Sequence, residues 1–509
     1  MPTENPTVRN FNFWAHLIAA STSLVGRSRK ELLPPLNAMQ STWLARRSVG
    51  SKKLKGNMLT LTSLGGAGTV TGSKHLLTNG DKRILIDCGL FQGLKNLREL
   101  NWEPLPVAPS SIDAVVLTHA HLDHSGYLPK LVRDGFRGRI YSTSATRDVA
   151  ELILKDSGHL QEKDAEYANR KGFSKHKPTL ALYGIRDAER SLELFSSVRF
   201  DEPIRLPGNA ALTFHHAGHI LGAAIAELEW EGCRVVFSGD LGRYNDPVLP
   251  DPTAVANADY VIIESTYGNR IHEAVDPTEA LGSIVERTIG RGGTLVIPAF
   301  AVGRAQSLLY HLWKLRAAGR FGKVPIYLDS PMAINATDLL HVHRSDHRLS
   351  LQECSAICSI ATYTRDVDDS KAITASPYPK VVISASGMAT GGRVLHHLKA
   401  FASDSRHTVL FSGFQAAGTR GRAMLQGARE IKIHGQWIPV RAEVADLSML
   451  SAHADANELM RWLSGFRQAP ARLFIVHGED EASEALRVRI DRELAWNATV
   501  SRQNQAFDL

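Results

Sequence analysis

The 509-residue sequence predicts an α/β protein with more than one domain. Short apolar runs of strand length alternate with helical stretches along most of the chain. The length also exceeds what a single hydrophobic core usually holds. The longest apolar runs, such as 114–117 and 260–263, are strand-sized and fall short of the roughly 20 residues that a membrane span needs. We therefore expect a globular protein without a membrane partner.

The formal net charge of +7 is confined to the first 57 residues. Nine lysines or arginines and two glutamates lie there, and nine minus two is seven, so residues 58–509 sum to zero. Overall basicity is therefore no evidence for a nucleic-acid partner. Residues 1–57 also make a poor secretory signal. We interpret them as a basic leader: a disordered tail, a wrongly assigned start ahead of Met58, or a tail that touches RNA or another surface.

The cysteines indicate a reducing compartment. Cys88, Cys233, Cys354 and Cys358 form no CxxC pair and do not resemble a disulfide framework. We therefore expect a cytoplasmic protein.

The predicted elements begin at Met58. Residues 58–64 are a predicted strand, and 75–77 with 83–86 form a predicted hairpin around the turn signal Asn79-Gly80-Asp81. Further strands are predicted at 114–118, 212–216, 223–230 and 234–238, and helices at 145–165 and 187–196.

Residues 270–440 are predicted to form a separate α/β unit. Its strands, which alternate with helical stretches, are expected at 294–297, 325–328, 381–384 and 408–411. Residues 445–509 are then predicted to form one more strand and helix, with which the chain returns to the first domain.

The strongest chemical signal is the run His119-Ala120-His121-Leu122-Asp123-His124, which follows an apolar strand. Three imidazoles and a carboxylate within six residues are too many polar groups for a core, and they are ligand types that zinc accepts. The first two histidines can bind one ion. After a turn, Asp123 and His124 can bind a second ion nearby.

Two more metal-type residues follow predicted strands. His219 lies in His215-His216-Ala217-Gly218-His219, and Asp240 lies in Ser238-Gly239-Asp240-Leu241-Gly242. Either residue alone is more typical of a hydrogen-bonded histidine or a capping aspartate. Together with the first cluster, they complete a site for two metal ions.

This constellation resembles the metallo-β-lactamase superfamily, over nearly all of 58–509. The resemblance implies an αββα sandwich and two Zn²⁺ ions as cofactors. The roles it implies are ligation of the first ion by His119, His121 and His219, ligation of the second by Asp123 and His124, and a bridge by Asp240. Asp87, in Ile86-Asp87-Cys88-Gly89, matches the superfamily's first acidic motif and is expected to orient ligands.

Three later motifs resemble those of the β-CASP nucleases, a group that includes the mRNA 3′-end cleavage endonuclease and its bacterial and archaeal relatives. Glu264 lies in Ile263-Glu264-Ser265-Thr266-Tyr267-Gly268, His453 in Leu450-Ser451-Ala452-His453-Ala454-Asp455, and His477 in Phe474-Ile475-Val476-His477-Gly478-Glu479. The resemblance implies that His477 is the last ligand of the second zinc ion. It also implies that Glu264 pairs with His453, which protonates the leaving group.

The resemblance also predicts where the domains begin and end. Residues 1–57 are the leader, 58–269 the first part of the metallo-β-lactamase domain, 270–440 an inserted α/β β-CASP domain, and 441–509 the return of the first domain. The insertion explains why expected ligands lie on both sides of 270–440. Residues 157–165 resemble a helical insert of bacterial members, and a solvated helix explains them equally well.

Phosphate contacts are expected where glycine-rich turns follow strands. The stretch 298–304 ends in Arg304 and opens a helix, whose N-terminus can hold a phosphate. The expected RNA-phosphate contacts are Arg304, Ser384, Gly387 and Arg393, with 418–422 as a weaker third candidate.

The leading hypothesis is a zinc-dependent ribonuclease of RNA processing or decay, in which hydroxide activated by two metal ions hydrolyses phosphodiester bonds. A DNA-repair nuclease, a small-molecule ester or thioester hydrolase, and a catalytically dead RNA-binding subunit are the alternatives. The end of the chain soon after His477 favours an endonuclease over a 5′ exonuclease. RNA is the expected partner, and a homodimer is left open.

Overall fold

The computed structural model describes residues 59–172 and 176–509. The predicted leader, together with Met58, lies outside the described residues. Within them, no helix is long and apolar enough to cross a membrane.

The strands of the described residues are numbered β1 to β22 in chain order. They are Thr60–Gly65, Lys74–Asn79, Lys82–Ile86, Ala114–Val116, Arg139–Ser142, Phe195–Ser197, Ile204–Arg205, Ala211–His216, Ala224–Trp230, Cys233–Phe237, Tyr260–Glu264, Thr294–Pro298, Ile326–Leu328, Thr362–Tyr363, Lys380–Ser384, Thr408–Phe411, Glu430–Ile433, Gln436–Pro439, Glu443–Asp446, Arg472–Val476, Ala498–Val500 and Ala506–Asp508.

The α-helices of the same residues are numbered α1 to α14. They are Lys95–Glu99, Leu122–Ser125, Leu128–Arg133, Ser144–Lys171, Ile185–Leu192, Pro277–Gly290, Arg304–Ala317, Pro331–Val342, Leu351–Ser359, Val367–Ala375, Val394–Phe401, Arg420–Leu425, Ala456–Leu463 and Asp480–Leu494. Short 3-10 turns lie at Pro109–Ser111, Pro207–Asn209, Arg344–Asp346 and Ser448–Leu450.

Two seven-stranded sheets form the frame of the site. The first has the order β22-β1-β2-β3-β4-β5-β6, and the second has the order β21-β20-β11-β10-β9-β8-β7. Apolar side chains from both sheets share one core, including Leu77 and Val116 from the first and Phe214, Val235 and Phe474 from the second. The sheets therefore pack face to face, with helices on the outside, as in an αββα sandwich.

A third sheet has six strands in the order β14-β13-β15-β12-β16-β19, and all of its pairings are parallel. Strands β12, β15 and β16 are almost fully buried, because helices cover both faces of a parallel sheet. The loops that follow these strands meet at one edge, where open parallel sheets usually bind ligands. The sheet's last strand, Glu443–Asp446, lies beyond residue 440.

The α/β pattern predicted from the sequence is confirmed in most of its elements. The hairpin of β2 and β3 turns at Gly80-Asp81, with Asn79 opposite Lys82. The helix predicted at 187–196 is partly wrong. It spans Ile185–Leu192, and Phe195–Ser197 instead pairs with β5 as the edge strand of the first sheet, because strand formation depends on a neighbouring strand more than on local sequence.

A candidate dinuclear metal centre

Three predicted site residues follow neighbouring parallel strands of the second sheet. Strand β10 pairs with β11, and β11 pairs with β20, in parallel. Asp240 comes shortly after β10, Glu264 ends β11, and His477 follows β20 directly. Because parallel strands end at the same sheet edge, the three side chains converge there.

The first sheet contributes in the same way. Strands β3 and β4 are parallel neighbours, and Asp87 and His119 follow them. Asp87 has a φ of 58°, and His477 has a φ of 49°. Such left-handed conformations are uncommon outside glycine and concentrate at functional sites. Both sheets therefore present polar side chains at one mouth.

Gly89 allows the chain after Asp87 to pass against the histidine-rich loop. A Cβ atom at this position would lie 1.6 Å from the carbonyl oxygen of Asp123. The neighbouring backbone bonds, Cys88 N to His124 O at 2.7 Å and Leu90 N to Leu122 O at 2.8 Å, hold the two segments together. Only glycine fits this approach.

The first donor set consists of His119, His121, His219 and Asp240. One ligand atom from each lies within 4.8 Å of the others. The Nε2 atoms of His119 and His219 lie 3.5 and 3.7 Å from Asp240 Oδ2. Nε2 of His219 also lies 3.1 Å from Nδ1 of His121.

The second donor set consists of Asp123, His124 and His477, again within 4.8 Å. Nε2 of His477 lies 3.5 Å from Asp123 Oδ2. Asp240 Oδ1 lies 3.2 Å from His124 Nε2 and 3.5 Å from His477 Nδ1. Asp240 therefore faces the first set with one oxygen and the second set with the other.

Several donor atoms of these sets are buried without a hydrogen-bond partner in the described residues. They are Nε2 of His119, His121, His124 and His477, Nδ1 of His219 and Oδ1 of Asp240. An unpaired buried polar group is costly, and native proteins rarely leave one unsatisfied. Four of them, Nε2 of His119, His124 and His477 and Oδ1 of Asp240, face the two donor sets, where bound cations would satisfy them together.

Neighbouring side chains fix the orientation of three histidines. Asp87 Oδ2 lies 2.7 Å from His124 Nδ1 and also accepts the Thr118 hydroxyl at 2.9 Å. The Thr118 hydroxyl is also 3.2 Å from His119 Nδ1. The Thr266 hydroxyl lies 3.1 Å from His477 Nδ1. Such contacts leave the other ring nitrogen aimed at a metal ion.

The electrostatics of the cluster favour a cation. Burial lowers the pKa of His121 to about 4 and the pKa of His219 far below its usual value, so these rings are neutral. Burial would also lower the pKa of His124, but Asp240 and Asp87 outweigh it and raise that pKa well above normal. A metal ion at His124 must therefore displace a proton.

Glu264 and His453 lie beside the first donor set. His453 Nδ1 is 3.3 Å from Glu264 Oε1, and Glu264 Oε1 accepts the backbone N–H of Leu241 at 2.6 Å. Burial would lower the pKa of His453, but Glu264 outweighs it and raises that pKa. His453 is also 4.4 Å from His219, centroid to centroid. The pair places an imidazole whose protonated form is stabilised by Glu264 next to the donor cluster.

Loops of the third sheet lie against this centre. The ring of Phe300 is 6.4 Å from that of His121, centroid to centroid. A Cβ atom at Gly303 would lie 2.8 Å from Ile220, which is next to His219 in the chain. Arg304 follows at the start of α7. It is buried, and its Nε atom has no hydrogen-bond partner among the described residues.

The other predicted phosphate contacts lie at the same sheet edge but are engaged within the protein. The Ser384 hydroxyl donates to Asp329 O at 2.9 Å, and Gly387 O accepts from Gln415 at 3.1 Å. Arg393 donates to Asp329 Oδ1 at 2.7 Å and to Arg365 O at 2.6 Å. An RNA phosphate would therefore have to share these groups.

Sequence reasoning missed four polar residues. Thr118 and Thr266 orient ligand histidines, and the signal that could have identified them is their position one residue before His119 and two residues after Glu264. Ser412 and Gln415 follow β16, and each has a buried oxygen without a hydrogen-bond partner in the described chain. The predicted third basic candidate, 418–422, places Arg420 against the carbonyl oxygens of Lys432 and Ala389.

Three family models match successive parts of the chain. Residues 68–288 match the model of the Metallo-beta-lactamase superfamily, and residues 305–424 match the Beta-Casp domain. Residues 437–501 match the model of the Zn-dependent metallo-hydrolase RNA specificity domain.

Curated relatives resemble nearly the whole described chain. Ribonuclease TTHA0252 of Thermus thermophilus is 38% identical over 438 residues, which are 84% of this chain and 94% of that protein. Transcription termination factor FttA of Methanosarcina mazei is 34% identical over 460 residues, 86% of this chain and 70% of that protein. A solved protein of unknown function from Enterococcus faecalis aligns over 89% of this chain and 100% of its own, with a TM-score of 0.50 and 13% identity. That last likeness concerns the fold alone.

Proposed function

The chain belongs to the metallo-β-lactamase superfamily as a member of its β-CASP ribonuclease group, and on that premise we propose that it hydrolyses RNA phosphodiester bonds with two zinc ions. The predicted fold class, a metallo-β-lactamase sandwich with a β-CASP insertion, is thereby confirmed. The predicted enzyme class, a metal-dependent hydrolase, is confirmed as well. The observation that carries the proposal is the convergence of two adjacent donor sets from both sheets, in which several buried donor atoms have no hydrogen-bond partner among the described residues. We place the activity in the cytoplasm, consistent with four free cysteines.

The residues that would hold the two ions are those of the two donor sets. His119, His121 and His219 would bind one ion, Asp123, His124 and His477 the other, and Asp240 would bridge them. All are nitrogen or carboxylate donors, which suit zinc. When bound, the zinc ions supply an activated water and positive charge against the phosphoryl oxygens.

The protein's own residues do the remaining work. Asp87 holds His124 and, through Thr118, His119 in their binding orientation. His453, kept protonated by Glu264, donates a proton to the leaving 3′ oxygen. Phe300, whose ring lies 6.4 Å from that of His121, is placed to limit the access of bulk water to this ligand.

Arg304 is the best supported of the proposed phosphate contacts. Its guanidinium is buried beside the centre, yet Nε has no partner in the described chain. An arginine in this state is well suited to a phosphate, which accepts charge-assisted bonds. Ser384, Gly387 and Arg393 are proposed to shape the same phosphate path, with Arg393 acting from its bonds to Asp329.

The proposal is tested by digestion of a labelled single-stranded RNA and a DNA of matched sequence, with and without a chelator. We expect RNA cleavage that is lost with the chelator and restored by Zn²⁺. Cleavage of DNA alone, or undiminished cleavage after complete metal removal, would overturn the proposal. A circular RNA and a 5′-triphosphate RNA, tested in parallel, separate endonuclease from 5′ exonuclease action.

A further inference from the structure

A second cluster of metal-binding side chains lies outside the dinuclear centre, on two helices that contact each other beside the third sheet. His341 is the last residue but one of α8, and Cys354 and Cys358 are four positions apart on α9. Helix α8 follows β13, and α9 precedes β14. Because residues four apart share one helix face, both thiols point to the same side.

The donor atoms are already close enough for one ion. One ligand atom from each of the three residues lies within 4.8 Å of the others. Cys354 Sγ is 3.5 Å from His341 Nδ1. With Zn–S near 2.3 Å and Zn–N near 2.0 Å, a sulfur and a nitrogen on a tetrahedral ion lie roughly 3.5 Å apart. The observed distance between Sγ and Nδ1 therefore matches the distance between two ligands on a tetrahedral zinc ion.

The backbone around the cluster is fixed by packing and hydrogen bonds. His347 Nε2 lies 2.8 Å from the carbonyl oxygen of Leu340, which pins the end of α8 next to His341. Cys354 and Ile357 are buried in the core of the third sheet, with Ile334. The site is thus held in place before any ligand arrives, which lowers the cost of binding.

We propose that His341, Cys354 and Cys358 form a third metal site, which takes a thiophilic divalent cation, Zn²⁺, with one coordination position open to solvent. Two thiolates and an imidazole select soft or borderline ions and reject Mg²⁺ and Ca²⁺. His341 is exposed, so an ion can reach the site from solvent, whereas Cys354 holds the inner, buried side of the site. The two thiols release their protons as the metal binds.

Asp338 can replace solvent at the open coordination position once the ion is bound. It lies one turn before His341 on α8, and its charge acts on Cys358. Its side chain is 58% exposed, and its partner Arg365 is 3.5 Å away, so the ion pair is weak and exchangeable.

The two cysteines do not resemble a reactive redox pair. Burial raises the pKa of Cys354, and burial together with Cys354 raises the pKa of Cys358 to about 12. Reactive cysteines have a lowered pKa. The thiols therefore stay neutral until a cation draws them into thiolates.

The test uses the full chain, stripped of metal, kept under reductant and titrated with Co²⁺ and then Zn²⁺. Cobalt bound to thiolate gives a charge-transfer absorption in the near ultraviolet. The dinuclear centre offers only nitrogen and oxygen donors, so that band reports on the third site alone. We expect the band to appear with Co²⁺ and to disappear when Zn²⁺, which has no such band, displaces it.

Variants assign the band to its residues. Cys358→Ser and His341→Gln should each abolish it, whereas Cys233→Ser, a cysteine outside the site, should keep it. His341 is exposed, so its variant decides the question even if Cys358→Ser folds poorly. No band in the native chain, or a band that survives in His341→Gln, overturns the proposal. Asp240→Ala, which should empty the dinuclear centre, should keep the band, so failure of one site is distinguishable from failure of the other.

Discussion

Nδ1 of His453 lies 3.3 Å from Glu264 Oε1, although 189 positions separate the two residues in the chain. The carboxylate is itself fixed, because its oxygens accept the backbone N–H groups of Leu241 at 2.6 Å and Thr266 at 3.3 Å. The orientation of the His453 ring is therefore fixed from the end of β11, which is distant in the chain.

Substitution of His453 by alanine should reduce kcat by roughly 100-fold or more, because the leaving oxygen loses its proton donor. Zinc content should stay unchanged, since His453 belongs to neither donor set. The measurement is single-turnover RNA cleavage with metal analysis of the same sample. His434→Asn, at an exposed histidine, is the control. A variant that loses its zinc as well would show that His453 is a ligand instead.

Replacement of Asp240 by alanine should remove both zinc ions from the dinuclear centre, because each oxygen of this carboxylate faces a different donor set. Mass spectrometric metal analysis is the readout, with Asp81→Asn at an exposed aspartate as the control. If two zinc ions remain in the dinuclear centre, the bridging role is refuted.

Gly89→Ala should lower both the stability of the fold and the zinc content of the protein. The added Cβ would lie 1.6 Å from Asp123 O, so the histidine-rich loop must shift away from Asp87. Gly290→Ala is the matched control, since nothing lies within 4 Å of its Cβ position. We expect a lowered midpoint of thermal unfolding and reduced zinc content for Gly89→Ala only. Equal behaviour of the two variants would contradict the close approach.

Arg304→Ala should raise KM for RNA more than it lowers kcat, because a contact to a phosphate other than the reacting one contributes binding in both ground and transition states. Arg304→Lys should recover part of the loss, since charge is kept but the fork geometry is not. Steady-state kinetics on one RNA suffice, and Arg406→Ala, an exposed arginine paired with Asp404, is the control. An unchanged KM in Arg304→Ala would exclude the contact.

Lys74→Met should stabilise the fold at pH 7. Burial lowers the pKa of Lys74 to about 8, whereas an unfolded lysine has a value near 10.4. Between these values the unfolded chain binds more protons, so the stability of the native protein rises with pH through this window. The gap between variant and native protein, on the order of 3 kcal/mol at pH 7, should therefore shrink as pH rises from 8 to 10.

Denaturant unfolding at pH 7 and pH 9.5 measures that gap. Lys74 Nζ lies over the rings of Phe91 and Tyr127, at 4.5 and 4.9 Å from their centroids. If the cation–π attraction to these rings outweighs the cost of burying the charged ammonium group, the Lys74→Met variant will be less stable than the native protein at pH 7. That result would contradict the prediction.

The sequence predicted those parts of the fold and site that local patterns encode. The histidine-rich run after β4 predicts metal binding because its residue types and spacing have few other uses, and the turn signal Asn79-Gly80-Asp81 predicts a hairpin that the structure confirms. The ligand assignments themselves stay predictions, although the residues converge as expected.

The remaining features depend on contacts between distant segments. The bond from Arg393 to Asp329 spans 64 positions, and no local pattern reveals it. The same holds for Thr266 and His477, which are 211 positions apart. Residues 195 and 196 were predicted to end a helix, because the strand state of Phe195–Ser197 depends on pairing with β5.

Strand β22 pairs with β1, so that Thr60 lies opposite Asp508. The edge of the first sheet is thus completed by a strand that lies far from β1 in the sequence. Until β22 docks, the backbone N–H and C=O groups along one side of β1 have no partner, and such an edge can pair with a second chain. Deletion of Ala506–Asp508 is therefore expected to promote aggregation through β1.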